Sequence, residues 1–219
     1  DMLLKIELEN FFSIKNRACL DFVAAKSNTK QARELSYNVI NWNGTKVLKT
    51  IGLFGPNASG KSNILKAINF CCRMILESHQ NNEGAVFNFM PFKFDGYDKK
   101  PSEFFIDFVC NEVEYEYSFA LTRTEIIRES LYYYPNGKRA KVFTRDENSK
   151  DVYSFSPGVI AKPKDVALNT SRKNLFLSRA SSMNRELAQE LYRYFLNTFL
   201  LGLVDLNSVS VEENFKAYK

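Results

Sequence analysis

Lys61 and Ser62 close the run Gly55-Pro56-Asn57-Ala58-Ser59-Gly60-Lys61-Ser62, a G-x-x-x-x-G-K-S pattern followed by Asn63. Those residue types at that spacing suit a polyphosphate. The two glycines permit backbone angles that a side chain forbids, so successive N–H groups can turn inward toward phosphate oxygens. Lys61 is placed to reach the β- and γ-phosphates and the Ser62 hydroxyl to hold Mg²⁺. The apolar stretch Thr50–Phe54 predicts a strand feeding the loop, and Asn63-Ile64-Leu65-Lys66-Ala67-Ile68 opens an amphipathic helix. A helix N-terminus brings free donors and partial positive charge to the same point. Strand, loop and helix in this order predict binding of a nucleoside triphosphate, with Gly55 to Asn63 as the cofactor-binding residues, Ser62 as the metal ligand, and ATP and Mg²⁺ as the ligands.

Other chemistry is sparse. His79 is the only histidine, which excludes multi-histidine zinc sites, and Cys19, Cys71, Cys72 and Cys110 form no C-x-x-C pair. No cluster of carboxylates stands at the spacing of a nuclease metal site. Leu201-Gly202-Leu203-Val204-Asp205 and Phe104-Phe105-Ile106-Asp107 are apolar runs ending in aspartate; we read the first as an ordinary strand end and the second as a meander strand.

The elements that must position the loop follow from periodicity. Met2–Glu9 alternates, with Leu4, Ile6 and Leu8 on one face, and Ala18–Val23 reads as its partner. Lys26 to Arg33 reads as a loop or short helix. Tyr37–Trp42 and Thr45–Leu48 flank Asn43-Gly44, a two-residue hairpin turn. After the loop, Ile64, Leu65, Ile68, Cys71, Cys72 and Ile75 recur at helical spacing, and the helix fades near Glu77 to Asn82. Phe92–Phe94, Glu103–Cys110, Val113–Leu121, Ile126–Tyr134 and Arg139–Thr144 predict strands, with turns at Asn136-Gly137 and Glu147-Asn148-Ser149. Lys138, Arg139 and Lys141 form a basic hairpin tip, read as a solvated edge. Pro157 to Lys164 is a connector, Asn174 to Ser178 a short apolar run, and Asn184–Phe199 a helix with Asn184 as its N-cap. Leu200–Leu206 reads as one more strand.

The 219 residues, 45% apolar and 14% aromatic, suffice for a buried core. A net charge of +5 from 30 basic and 25 acidic residues is too mild to argue for nucleic acid by itself. No signal region and no bilayer-length apolar run appears, and a reducing cytoplasmic location is expected. Asp1 before Met2 reads as a tag remnant. The end at Lys219 carries no closing signal, so the expectation is a fragment of a longer chain.

Together these residues resemble the ATP-binding-cassette branch of P-loop proteins, the head domains of the Rad50, SMC and RecF type. The carriers are Glu9-Asn10-Phe11-Phe12-Ser13 and the loop from Gly55 to Asn63, with Asn57 after Gly-Pro and Asn63 after Lys-Ser. Pro101 to Phe108 and Ile127-Arg128-Glu129-Ser130-Leu131 resemble a bacterial subgroup of AAA-family ATPases found in phage-defence and retron-type systems beside a nuclease or toxin. The resemblance implies an α/β head lobe: a mixed sheet around the post-loop helix with an added antiparallel meander. It divides the chain into a P-loop core (2–86), a β-meander (87–156) and a connector with a helical segment (157–219). It also implies a homodimer or higher oligomer through ATP-sandwiched heads, a nuclease or toxin partner, DNA as a ligand, and no membrane.

The chain departs from that pattern in places. Leu206 follows Asp205 where the branch has its catalytic glutamate, so Walker B and the catalytic residues are unknown. Ser181-Ser182-Met183-Asn184 stands where relatives carry a glutamine. Phe12 stands where many carry an arginine, which leaves Lys15 or Arg17 for any phosphate contact from the first hairpin. Three readings remain: an ATPase head whose hydrolytic half lies beyond this chain, an ATP-binding assembly switch that does not hydrolyse, and a kinase-like P-loop enzyme using Asp205.

Overall fold

The computed structural model describes residues 1–27, 29–56 and 60–199. Its frame is one seven-stranded sheet. β1 (Met2–Glu9) lies between β2 (Ala18–Asp21) and β5 (Ser102–Cys110), and β6 (Val113–Leu121), β7 (Ile126–Tyr133), β8 (Ala140–Asp146) and β9 (Tyr153–Phe155) continue outward in chain order. Every pairing in it is antiparallel. The expectation of a mixed sheet is therefore corrected among the described residues. The meander does not stand beside a separate core, because β5 pairs with β1 from Glu9↔Glu103 to Met2↔Val109.

Alternation decides what each face does. Ile6, Leu8, Phe104, Ile106, Phe108, Tyr117, Phe119, Leu131 and Phe143 are buried in the main core. Three helices cover that face: α2 (Lys61–Glu77), α4 (Phe176–Ser182) and α5 (Glu186–Phe199). Phe70 of α2 meets Phe104 at 5.8 Å, Phe176 meets Phe143 at 4.5 Å, and Tyr194 stacks on Phe108 at 4.6 Å. Each fully buried side chain of this size contributes about 1.5–3 kcal/mol. The register of β1 shifts between Leu3 and Lys5, so Leu4 does not share the face of Ile6 and Leu8. It joins Val47 and Val109 in a small second core. There the hairpin of β3 (Val39–Trp42) and β4 (Thr45–Leu48) caps the far side of the sheet, held by Leu48 N–H to Phe22 O at 2.7 Å and Ala24 N–H to Lys46 O at 2.8 Å. Asn43 and Gly44 turn it at φ 45° and 79°, the left-handed pair that an Asn-Gly turn supplies.

Several sequence expectations are corrected. Thr50–Phe54 forms no strand and Phe54 is 95% exposed. A strand exists only by pairing, and the described residues offer this apolar run no partner edge. Phe92–Phe94 is also not a strand. The buried Asn10 side chain donates to the carbonyls of Tyr97, Lys100 and Pro101 and accepts from Phe92 N–H, and Asp95 and Gly96 turn at positive φ. Tyr37 sits in a 3₁₀ turn ahead of β3. Along α2 the buried residues are Ala67, Cys71, Cys72, Met74, Ile75 and Leu76, whereas Ile64 is half-buried and Leu65 is 40% exposed. Asn184 has φ 59° and accepts from Gln189 Nε2, so it precedes α5 without capping it. The connector holds a helix, α3 (Pro163–Leu168), and α1 (Lys30–Glu34) fills the early loop. Leu200–Leu206 and Asp205 lie outside the described residues.

The apolar run at Asn174 becomes α4 because a distant carboxylate caps it. Glu129 on β7 accepts from Phe176 N–H at 2.6 Å and Leu177 N–H at 3.0 Å, and from Tyr117 OH at 2.8 Å. Arg145, opposite it on β8, is equally buried and donates to Asn174 O, Ser171 O and Glu147. Burial pushes the Glu129 carboxyl up, opposed by the Arg145 guanidinium and the two backbone donors.

Candidate functional site

The sequence-predicted site converges on the N-terminus of α2. Gly60 is its N-cap residue at φ 91°, ψ 0°, a left-handed conformation costly to any residue with a Cβ. Lys61 opens the helix and its Nζ donates to Gly55 O at 2.6 Å and Pro56 O at 2.7 Å. The ammonium thus draws the start of the loop onto the helix end. Ser62 is exposed in the first turn. Asn57, Ala58 and Ser59 lie outside the described residues, so the structure brings together Gly55, Pro56, Gly60, Lys61, Ser62 and Asn63 of the nine.

A second wall comes from the turn between β1 and β2. Phe11 and Ile14 exchange backbone hydrogen bonds of 2.9 Å, and Asn63 Nδ2 donates to Ser13 Oγ at 2.7 Å. Ser13 Oγ also lies 3.4 Å from where a Cβ on Gly60 would stand, so the turn leaves little room for a side chain at that position. Phe11 anchors the turn: it is buried, stacked 5.4 Å from Phe89 and edge-on to Phe104 at 5.8 Å. Phe12 takes φ 49°, donates its N–H to Met90 O at 2.8 Å, and has Lys66 Nζ 5.8 Å from its ring.

Lys15 and Arg17, the expected phosphate contacts of the first hairpin, are engaged elsewhere. Lys15 pairs with Asp95 at 2.5 Å, and Arg17 with Glu7, Glu9 and Glu103 at 3.4, 3.5 and 3.2 Å. Lys15 is thus held by a carboxylate of the Asp95-Gly96 turn and Arg17 by carboxylates of β1 and β5. The basic hairpin tip is likewise spent within the sheet: Arg139 pairs with Glu116 at 2.7 Å over the Tyr132 ring, and Lys141 donates to Ser154. Phe104–Asp107 is β5, as its reading as a meander strand requires. The sequence reading marked Phe12 and Ser13 only as part of the Glu9–Ser13 run, without the Ser13 bond to Asn63, and Lys66 escaped it as a site residue. A run of local letters cannot show that residue 13 meets residue 63.

The donor set fits Mg²⁺. Ser62 offers one hard oxygen, and no group of three or more His, Cys, Asp or Glu among the described residues forms a cage. Mg²⁺ is ordinarily held in this way, by one or two protein oxygens with phosphate and water completing the octahedron. Bound there, it would neutralise charge on the β- and γ-phosphates.

A family model described as AAA domain, putative AbiEii toxin, type IV toxin–antitoxin system matches residues 51–216. The chain belongs to this family. The match opens on the run into the phosphate loop and takes in α2, the meander and the helices behind it. Membership of this AAA family carries with it a P-loop ATPase fold and the expectation of nucleotide bound with Mg²⁺. The α/β architecture with an antiparallel sheet is consistent with it. No curated protein matches the chain. Among the described residues no helix is long and apolar enough to cross a membrane.

Proposed function

We propose that this chain is the N-terminal lobe of an ABC-type ATPase head, of the Rad50, SMC and RecF kind, in a defence or DNA-transaction system. Gly55 to Asn63 cradle the triphosphate of ATP, Lys61 exchanges its loop carbonyls for β- and γ-phosphate oxygens, and Ser62 ligates Mg²⁺. The observation that carries the reading is the Lys61 clamp on Gly55 and Pro56 at the end of a helix whose cap is a left-handed glycine. In the complete protein two heads close on two ATP molecules, and hydrolysis by residues outside the described part reopens them. That cycle drives conformational switching, and DNA or a nuclease or toxin is what it acts upon. Lys61→Ala in the full-length protein should abolish ATP binding; unchanged affinity overturns the assignment.

The family's toxin–antitoxin description favours a second use of the same site. ATP would then hold an assembly together and regulate a partner without turnover. Phosphate release by the full-length protein separates the two: steady hydrolysis supports the motor, and ATP-dependent association with no release supports the switch.

A further inference from the structure

The seven-stranded sheet ends at β9, five strands from β1. Tyr153, Ser154 and Phe155 lie opposite Arg145, Thr144 and Phe143 of β8. The flanking bonds run from Asp146 N–H to Val152 O at 2.9 Å and from Ser156 N–H to Val142 O at 3.0 Å. In an antiparallel ladder the bonded residues alternate, so Val152, Ser154 and Ser156 turn their backbone groups to β8. The N–H and C=O of Tyr153 and Phe155 therefore face outward, and among the described residues they have no hydrogen-bond partner. Both side chains turn to the helical face, where they pack on Phe176 at 5.6 and 5.3 Å. A cavity of about 1010 Å³ opens there between these two rings and the end of α3 at Ala167 and Leu168. A second, of about 460 Å³, lies between Phe155 and Pro163. Leu168, 88% exposed, is an apolar wall of the first.

We propose that this edge docks an extended, acidic segment of a partner protein, which adds one more strand antiparallel to β9. The reading is independent of the phosphate loop. Sheet edges are ordinarily blunted by charge, proline or a covering element, and Tyr153 and Phe155 present neither charge nor proline along the free side. β9 is only three residues long, so backbone pairing alone would be weak and the cavities must supply the rest. Residues placed opposite Tyr153 and Phe155 share their face, and apolar side chains there would enter the two cavities. Charge selects the partner. Glu125 and Glu147 are paired with Arg172, and Asp165 with Arg185, which leaves Glu83 as the one lining carboxylate without an ion pair among the described residues. Lys162 and Lys164, at the start of α3, are exposed and likewise form none. They suit carboxylates on the incoming strand. A second copy of this chain is disfavoured for the same reason. Antiparallel pairing of β9 with β9 would put both α3 helices, with their lysines, on one side of the seam.

The probe is a fluorescein-labelled peptide that alternates valine with aspartate, titrated into the full-length protein and followed by polarisation. Saturable binding is expected, weakened about tenfold at low salt when Lys162→Glu and Lys164→Glu are combined. Valines opposite Tyr153 and Phe155 turn their N–H groups toward β9, so N-methylation of the valines should abolish binding and N-methylation of the aspartates should spare it. Residue-resolved hydrogen exchange should slow at Tyr153 and Phe155 on adding peptide, and stay unchanged at Ser154 and Ser156, which already bond to β8. Absence of saturable binding overturns the proposal. So does unchanged affinity in the charge-reversed variant, an equal loss for both methylated peptides, or unaltered exchange at Tyr153 and Phe155. Dimerisation of the peptide-free protein that Leu168→Arg abolishes would overturn it in favour of a second copy at this edge.

Discussion

Asn63 donates its side-chain amide to Ser13 Oγ at 2.7 Å, joining two residues 50 positions apart. One end of that bond lies in the first turn of the helix that follows the phosphate loop. The other lies in a turn that follows β1, which is paired on both sides by β2 and β5, and is anchored by the buried Phe11. The loop is thereby referenced to the sheet, the stiffest part of the fold.

Breaking this bond should be felt twice. Ser13→Ala and Asn63→Ala each remove it, and a double-mutant cycle in urea should return a coupling of about 0.5–1 kcal/mol, typical of a neutral side-chain hydrogen bond. ATP affinity should fall several-fold in both single variants and no further in the double one. Additive losses in affinity would mean that the two side chains act independently on the loop.

Glu129 should behave as a structural anchor with no part in binding. Glu129→Ala leaves Arg145 buried without its carboxylate and two α4 amides without an acceptor, and should cost about 3–5 kcal/mol by denaturant melts. Glu129→Gln keeps one acceptor and should lose less. Where the Gln variant remains folded, its ATP affinity should equal that of wild type; a specific loss of binding would place Glu129 in the functional machinery.

The open face of the sheet should make stability fall as pH rises. Asp107 is half-buried, its Oδ1 has no hydrogen-bond partner among the described residues, and it lies opposite Glu116 on β6 and Lys5 on β1. Burial, then the carboxylates of Glu114 and Glu116, push it up to about 7 against the favourable charge of Lys5, with Asp21 adding a smaller upward push. The folded chain therefore keeps a proton that the unfolded chain releases at about pH 3.8. Stability is lost progressively from there to about pH 7. Asp107→Asn should raise the melting temperature at pH 8, leave it nearly unchanged at pH 4, and flatten the slope between. An unaltered pH profile would show that solvent already screens the group.

Much of the fold was legible because its signals are local. Asn43-Gly44 dictates a turn wherever it lies, the strands from β5 to β8 pair with their sequence neighbours, and α2 carries its own apolar stripe. What escaped depends on partners far along the chain. Phe92–Phe94 has strand composition, but the buried amide of Asn10 gathers three carbonyls and one N–H of that region and bends it into a knob. Asn174 to Ser178 shows too few residues for a helical period, and its helix starts where Glu129 supplies the cap. Thr50–Phe54 has the letters of a buried strand and none of the pairing. At the site, the G-x-x-x-x-G-K-S spacing marked the loop and the Glu9–Ser13 run marked the first hairpin as its neighbour, but the contact was expected from Lys15 or Arg17, and no local signal showed that Ser13 would bond to Asn63.

The pairing of β1 with β5 also has a kinetic meaning. Ser102 Oγ bonds to Asn10 O across 92 residues, and the hairpin, the phosphate loop and α2 all lie inside that span. The strands β5 to β8 meet through short turns and can assemble early, whereas β1 joins only after a loop of that size has closed. By that topology the excursion between β1 and β5, which carries the candidate phosphate loop, is expected to close late, onto strands already paired with their sequence neighbours.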